Sequence, residues 1–337
     1  MHYLITGHTG FKGSWLTALL LHRGHLVSGI ALDPLEKSIF KNSKLSESLE
    51  FDFRIDIRNL GQVEQAINLA QPDVVIHLAA QSEVLQSYLI PIDTFETNVN
   101  GTLNILSCIS KTDSVKGAVI VTTDKVYRNL DSLHRYSEQD PLGGTDPYSA
   151  SKSMADLLTQ SWCSLYPDTP IGIARAGNVI GGGDCLPNRI IPHLMDRIQS
   201  RETPDLRNPD SVRPWQHVLD CLNGYLKLVD KLLLDQRSGI WNFGPSEGVV
   251  RTVRELTEEV LKVAKSETGW KKSESVSNKE QNLLLIDSTK ARHELNWSEK
   301  YSFEESVKSS VDWYLNQQKE SFDQRIISQI KKFESSQ

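Results

Sequence analysis

A doubly wound α/β fold of Rossmann type, built on a parallel sheet, is predicted by three observations. Short apolar strands alternate with helical patterns through the first half of the chain, two of those strands are apolar nearly throughout, and a glycine-rich turn joins the first strand to the first helix. The strands are read at 3–6, 26–31, 51–55, 74–78, 118–122 and 171–175. Those at 74–78 and 118–122 lack the polar alternation of a half-solvated strand, so both of their faces are expected to be covered. After Arg175 the rhythm breaks at Gly181, Gly182 and Gly183 and then at scattered prolines, with helical stretches at 190–200, 218–234 and 253–265. The expected organisation is a nucleotide-binding domain over 1–177, to which the chain returns around 214–243. A smaller mixed α/β substrate lobe takes 178–213 and 244–317. Residues 266–281 read as a polar loop, and 318–337 as a charged tail, either a weakly amphipathic solvated helix or frayed.

The 337 residues suffice for two lobes, and 39% hydrophobic with 24% charged residues is ordinary for a globular chain. A formal net charge of -6 argues against a general nucleic-acid surface, while leaving room for a local basic pocket. The longest apolar runs, such as 74–80, are too short to span a bilayer, and the N-terminus lacks a signal-peptide pattern. No membrane partner and a cytoplasmic location are therefore expected. Cys108, Cys163, Cys185 and Cys221 form no C-x-x-C pair and the histidines show no ligand spacing, so no metal is expected.

The segment Thr6, Gly7, His8, Thr9, Gly10, Phe11, Lys12, Gly13 lies between the first strand and the first helix. In that context Gly7 permits a tight turn, Gly10 lets backbone approach a pyrophosphate, Gly13 allows close helix packing, and the helix N-terminus faces the phosphate charge. Asp33 ends the second strand about twenty residues on, where a carboxylate accepts ribose hydroxyls and repels a 2′-phosphate; NAD is therefore favoured over NADP. Asp56 and Ile57 after the third strand, and Leu78, Ala79 and Ala80 after the fourth, fall where the adenine and the phosphates would pass.

Two further clusters carry chemistry. The fifth strand ends in Thr122, Thr123, Asp124 and Lys125, which sets a hydroxyl, a carboxylate and an amine side by side. Tyr148 and Lys152 follow at a spacing of four, on one helical face, and such a pair can take a hydroxyl proton during hydride transfer. Either cluster alone is weak, since Tyr and Lys four apart are common and an Asp-Lys pair at a strand end is usually a solvated turn. Their order after the glycine loop places all of them at the carboxyl edge of one sheet, and the additional acid and base suggest a second reaction such as elimination of water.

The succession TGxxGxxG, LAA, a strand ending in Thr-Asp, and YxxxK resembles the extended short-chain dehydrogenase/reductases across nearly the whole chain. The longer strings TGHTGFKGSW (6–15), TDKVY (123–127), DPLGGTDPYSASK (140–152), RAGNVIGGGD (175–184), RPWQHVL (213–219) and WNFGP (241–245) are similar, within that group, to the nucleotide-sugar 4,6-dehydratases that act on CDP-glucose. The resemblance implies tightly held NAD, a nucleotide-sugar substrate and a homodimer. It implies that Tyr148, with a pKa lowered by Lys152 and by the cationic nicotinamide, takes the sugar 4-hydroxyl proton, and that Thr123 bonds that hydroxyl. Lys125 would remove the C5 proton and Asp124 protonate the departing 6-hydroxyl, each needing a shifted protonation state. On the substrate side it implies Ser87, Asn178, Arg189, Arg213 and Glu280, the arginines suiting a diphosphate; His217 reads as structural. Two departures stand near the sugar nucleotide. Where the family commonly carries AAQPLVRxSY this chain has AAQSEVLQSY, gaining Glu83 and losing an arginine at Leu85. Where it commonly has HPHEA this chain keeps only Glu280. An epimerase or reductase would need Tyr148 and Lys152 but not Asp124 and Lys125, a 4,6-dehydratase of a GDP-, dTDP- or UDP-hexose would use all of them, and a non-catalytic NAD-sensing scaffold would need none.

Overall fold

Seven parallel strands form the central sheet: β1 (His2–Thr6), β2 (Leu26–Ala31), β3 (Phe51–Arg54), β4 (Val74–His77), β5 (Gly117–Val121), β6 (Ile171–Ala176) and β7 (Gly239–Phe243). Their spatial order is β7-β6-β5-β4-β1-β2-β3 in this computed structural model, which describes residues 1–130, 132–186, 188–246, 251–273 and 283–336. The six strands expected from the sequence are all present. The winding direction reverses between β1 and β4, where Thr6 stands beside His77, and a crevice opens at the carboxyl ends of the strands there.

Alternate side chains of the strands enter two separate cores. Tyr3, Ile5, Val119 and Ala174 face α1 (Phe11–His22) and α6 (Val218–Asp235), meeting Leu16, Leu19, Leu222 and Tyr225. Leu4, Val75, Ala118 and Ile120 face the other way, onto Val63, Ile67, Ile105 and Ile109 of α2 (Leu60–Ala70) and α3 (Gly101–Ile109). Covering on both faces explains why β4 and β5 read as unbroken apolar runs. The helix α4 (Pro147–Leu165) starts at the Asp146 cap, whose carboxylate accepts from the Ser149 amide at 2.9 Å.

The smaller lobe has its own core of Ile191, Leu194, Leu206, Leu256, Val260, Val307 and Val311, drawn mainly from α5 (Ile190–Gln199), α7 (Val253–Val263) and α8 (Phe303–Leu315). Short two-residue pairings tie it together, including Gln216–His217 beside Val179–Ile180. Gly181, Gly182 and Gly183 cross between the lobes because nothing larger fits. A Cβ on Gly182 would lie 2.3 Å from the Trp313 side chain, and Gly183 has φ +80° with Ile39 2.4 Å from any added Cβ. Trp15 in α1 donates its indole N–H to the Gly182 carbonyl at 2.9 Å, fixing the crossing.

The tail departs from the solvated or frayed reading. Helix α9 (Phe322–Ser335) carries a capping box at Ser321 and Gln324 and buries Ile326, Ile330 and Phe333 in the same core as α1 and α6. The guanidinium of Arg325 lies 4.4 Å from the Trp313 ring centre and 4.3 Å from that of Phe322, and it donates to the Trp313 carbonyl. Lys300 closes the far end by donating to the Phe333 and Ser336 carbonyls. Apart from the buried Arg325, the charged residues of this helix lie on its outer face, and they mask the i, i+4, i+7 spacing of Ile326, Ile330 and Phe333. Among the described residues no helix is long and apolar enough to cross a membrane.

Candidate active site

A cavity of about 780 Å³ runs along the carboxyl edge of the sheet and into the smaller lobe. Its floor is the glycine loop. Gly7 has φ +75°, and an added Cβ would stand 2.8 Å from the Ala79 amide nitrogen; on Gly13 it would stand 2.1 Å from the Gly7 carbonyl oxygen. Backbone is therefore packed on backbone, which only glycine allows. Helix α1 begins after Gly10, whose lack of a side chain leaves the first-turn amides uncapped toward the cavity, a ready site for a pyrophosphate. Thr9 is held by donation to the Leu32 carbonyl at 3.0 Å. Phe11, Lys12, Asp33, Asp56, Ile57, Leu78, Ala79, Ala80 and Thr122 all line the same cavity, so the residues expected to hold a dinucleotide come together and fit one. Asp33 is exposed with its carboxylate at the end of β2, whereas Asp56 is engaged by the Arg58 guanidinium at 2.7 Å, which lowers its pKa.

Thr123, Asp124, Lys125, Tyr148 and Lys152 also meet on this cavity. Thr123 caps a single 3₁₀ turn at Asp124–Val126 that turns Asp124 inward. The Thr123 hydroxyl donates to one Asp124 carboxyl oxygen at 3.0 Å, while the other oxygen, Oδ2, is buried without a hydrogen-bond partner among the described residues. Burial raises the Asp124 pKa against the opposing effect of Lys125, Thr123 and Arg213. Gly177 makes room for it, since a Cβ there would lie 3.3 Å from Oδ2 and 2.6 Å from Pro214. The shift favours the protonated form, the one that can donate a proton.

Lys152 is buried and donates to the Val121 carbonyl at 2.8 Å; desolvation, followed by repulsion from Lys12, lowers its pKa to about 8. Tyr148 departs from the sequence expectation. Its pKa is raised to about 12 by burial, with a hydrogen bond to Thr123 acting the other way. Desolvation dominates because both members of the Tyr-Lys pair sit inside the protein, and the lysine itself loses its proton more readily there.

The substrate-side residues divide. Asn178, Arg189 and Arg213 line the cavity; Arg189 donates to the Ser82 carbonyl at 3.3 Å with Asp184 4.0 Å away, and Arg213 is buried near Asp124. Ser87 does not face it. The residue is fully buried, its hydroxyl donates to the Val84 carbonyl at 2.7 Å and accepts from the Tyr148 amide at 3.2 Å, so it supports the start of α4 instead. Glu280 lies outside the described residues. His217 is buried, kept neutral with its pKa lowered to about 3 by desolvation, and accepts from the Leu219 amide as the cap of α6.

Sequence reasoning missed a polar chain beneath the site. Thr6 donates to His77 Nδ1 at 2.7 Å and accepts from the Leu78 and Ala79 amides at 3.1 Å. Thr102 donates to the Asn98 carbonyl, which leaves it to accept from His77 Nε2 at 3.0 Å, and burial holds His77 neutral with a pKa of about 3. The Asn98 amide then donates to the Gln81 carbonyl at 3.0 Å and to the Ser151 hydroxyl at 2.9 Å, while its oxygen accepts from the Gln81 amide. Asn98 points this way because Glu96–Asn100 is a π-helical turn, a local widening that no periodicity in the sequence announces. The loop under the cofactor cradle and the catalytic helix are thus locked together. Among the described residues no group of three or more His, Cys, Asp or Glu side chains is placed to hold a metal ion.

A dinucleotide cradle, a Tyr-Lys pair and a buried acid at the switch point of an open α/β sheet define a nucleotide-sugar-modifying enzyme of the extended Rossmann class. The chain matches the GDP-mannose 4,6 dehydratase family over residues 4–310 and belongs to it. It is 36% identical to the CDP-glucose 4,6-dehydratase of Salmonella typhimurium over 92% of this chain and 89% of that protein. It is also 31% identical to the low-salt glycan biosynthesis protein Agl12 of Haloferax volcanii, over 94% of this chain and 99% of that protein. Among solved structures, the dTDP-glucose 4,6-dehydratase DesIV of Streptomyces venezuelae, crystallised with NAD, superposes with a TM-score of 0.80 at 27% identity, covering 94% of this chain and 98% of that one. The UDP-glucose 4-epimerase of Thermotoga maritima shares the fold, with a TM-score of 0.82 at 21% identity over 95% of this chain and all of that one.

Proposed function

We propose that this chain is an NAD-dependent 4,6-dehydratase that converts CDP-glucose to CDP-4-keto-6-deoxyglucose. The observation that carries the reading is the Asp124 carboxyl, buried on the cavity with its pKa raised by desolvation and Oδ2 without a partner among the described residues: simple oxidation or epimerisation at C4 has no use for such an acid. NAD, when bound, supplies the acceptor and later the donor of the sugar's hydride. Tyr148 takes the proton of the 4-hydroxyl, with Thr123 and Arg189 opposing the burial that otherwise holds the phenol protonated. The 4-ketone acidifies the C5 proton, which Lys125 removes, and Asp124 protonates the departing 6-hydroxyl. With the hydride returned to C6 there is no net redox change. Gly7, Gly10 and Gly13 seat the pyrophosphate, Asp33 the adenosine ribose, and Arg189 and Arg213 the diphosphate of the nucleotide sugar.

The division of labour follows the chain: 1–177 with its return at 214–243 holds the dinucleotide, and 178–213 with 244–317 holds the sugar nucleotide. A homodimer is supported by exposed apolar residues on helices that pack against one another, Leu89, Ile92, Met154 and Leu157 each being about half exposed or more. We read the enzyme as cytoplasmic and as supplying glycan assembly, the latter in line with the Haloferax relative, which is named for glycan biosynthesis.

The test is product formation. Purified protein incubated with CDP-, dTDP-, GDP- and UDP-glucose is expected to give the alkali-induced ultraviolet absorbance of a 4-keto-6-deoxy sugar from the CDP compound first, without net consumption of NAD(P)H. A product that stays a hexose with inverted C4 would make it an epimerase, and preference for another nucleotide would move the substrate while leaving the reaction.

A further inference from the structure

The geometry points to Glu83 as the residue that selects the sugar, by accepting a hydrogen bond from a hexose hydroxyl that takes no part in the chemistry. This rests on the dehydratase reading and adds the group that chooses the hexose. Glu83 lines the cavity between Ser82 and Leu85, directly before the helix Val84–Leu89 whose Ser87 supports Tyr148. Its main chain is clamped from both sides, because the Gln81 side chain accepts from the Glu83 amide and donates to the Glu83 carbonyl, each at 3.0 Å, and Gln81 is itself held by Asn98. The carboxylate is not spent on structure. It does not cap the helix it precedes, and Oε1 is shut away from solvent with no hydrogen-bond partner among the described residues. Buried acceptors in native proteins are satisfied, so an unpartnered oxygen on a residue that lines the binding cavity calls for a donor, one a bound ligand supplies once the side chain turns to meet it.

Chemistry narrows that donor. With C1 joined to the nucleotide, the hexose offers hydroxyls at C2, C3, C4 and C6; the C4 group faces Tyr148 and the C6 group departs with the proton of Asp124. Only the 2- and 3-hydroxyls remain for Glu83. Arg189 donates to the carbonyl of the adjoining Ser82 and lies 4.0 Å from Asp184, a cation suited to the diphosphate end of the substrate.

A substrate-by-mutant cycle decides it. CDP-glucose and its 2-deoxy and 3-deoxy analogues are bound to wild type, Glu83→Ala and Glu83→Gln by titration calorimetry, with turnover followed in parallel. For one analogue, wild type is expected to bind at least about tenfold more weakly than CDP-glucose, whereas Glu83→Ala binds both at that weaker level and Glu83→Gln falls between. Unchanged NAD content and Tm in the variants show that the fold is intact. Equal affinity of wild type and Glu83→Ala for CDP-glucose, or losses that multiply for both analogues, would overturn the assignment. Binding without any 4-keto-6-deoxy product would defeat the dehydratase reading alone. Should another glucose nucleotide bind more tightly, the same cycle is run on its deoxy analogues, and binding of none of them would overturn both.

Discussion

The hydroxyl of Thr123 donates to the carboxyl of Asp124 at 3.0 Å, and that contact turns an acid at a strand end into a buried one whose second oxygen has no partner among the described residues. The same threonine acts on Tyr148, opposing the burial that raises the phenol's pKa. In the proposed reaction, the hydroxyl that would hold the 4-oxygen and the acid that would protonate the leaving group are neighbours on one short turn. Asp124→Asn is expected to keep hydride transfer while slowing water loss by about a hundredfold or more, since removing a positioned general acid typically costs 10²–10⁴-fold. Single-turnover absorbance would show reduced cofactor accumulating in Asp124→Asn and in Lys125→Ala, but not in Tyr148→Phe. The same trace in all three variants would refute the assigned order.

Lys152 offers a test by pH. Its folded pKa of about 8 lies below the ordinary 10.5, so between those values the unfolded chain holds more protons than the folded one. Stability contributed by this group therefore rises with pH across about 8 to 10.5, and the penalty for burying the ammonium is fully present below 8. Lys152→Met, neutral at every pH, should lack that rise. Denaturant melts of the two proteins at pH 7.5 and 10 would show whether the difference in free energy grows in the direction stated.

Ser87 is expected to matter for rate more than for substrate affinity. Ser87→Ala leaves the buried Tyr148 amide without its acceptor, which costs about 1–3 kcal/mol and loosens the first turn of α4. A fall in kcat with little change in KM, partly restored in Ser87→Thr, would be measured by steady-state kinetics. A rise in KM alone would return the residue to the substrate pocket.

Asp33 should set cofactor preference. Asp33→Ala is expected to weaken NAD more than NADP, because the carboxylate both accepts from ribose and repels the 2′-phosphate. Competitive binding of the two dinucleotides reads the ratio directly, and an unchanged ratio would remove Asp33 from the site.

Gly182→Ala should destabilise the chain by about 1–3 kcal/mol, the usual cost of forcing a methyl into a filled core, because the new carbon would meet Trp313 at 2.3 Å. Since the crossing leads into Asp184 and Arg189, sugar-nucleotide affinity should drop further than NAD affinity. Thermal melts with and without each ligand would separate the two effects.

The strands and the glycine loop were legible in the sequence because both follow from local rules: unbroken apolar runs for buried strands, and glycine spacing at a strand-helix junction. That Lys152 and Asp124 meet on one cavity was legible in the sequence, and the raised pKa of Tyr148 was not, because desolvation depends on what closes over the ring and no spacing reports that. Ser87 was misplaced for a related reason. Residues 82–85 just before it line the cavity, but a helix alternates its faces and the hydroxyl turned inward. The Asn98 junction rests on a π turn, and the docking of α9 rests on three apolar residues hidden in a charged stretch; both are set by tertiary packing rather than by periodicity.

Trp313 is touched on one side by the glycine crossing and on the other by Arg325. The last helix is consequently a wedge behind the wall that carries Asp184 and Arg189, at a distance from any reacting atom. A proteolytic nick ahead of Ser321, or a bulky fusion that pries Phe333 out of its seat, should blunt substrate capture while sparing the dinucleotide cradle, so that damage at the carboxyl end would pass for a defect in recognition.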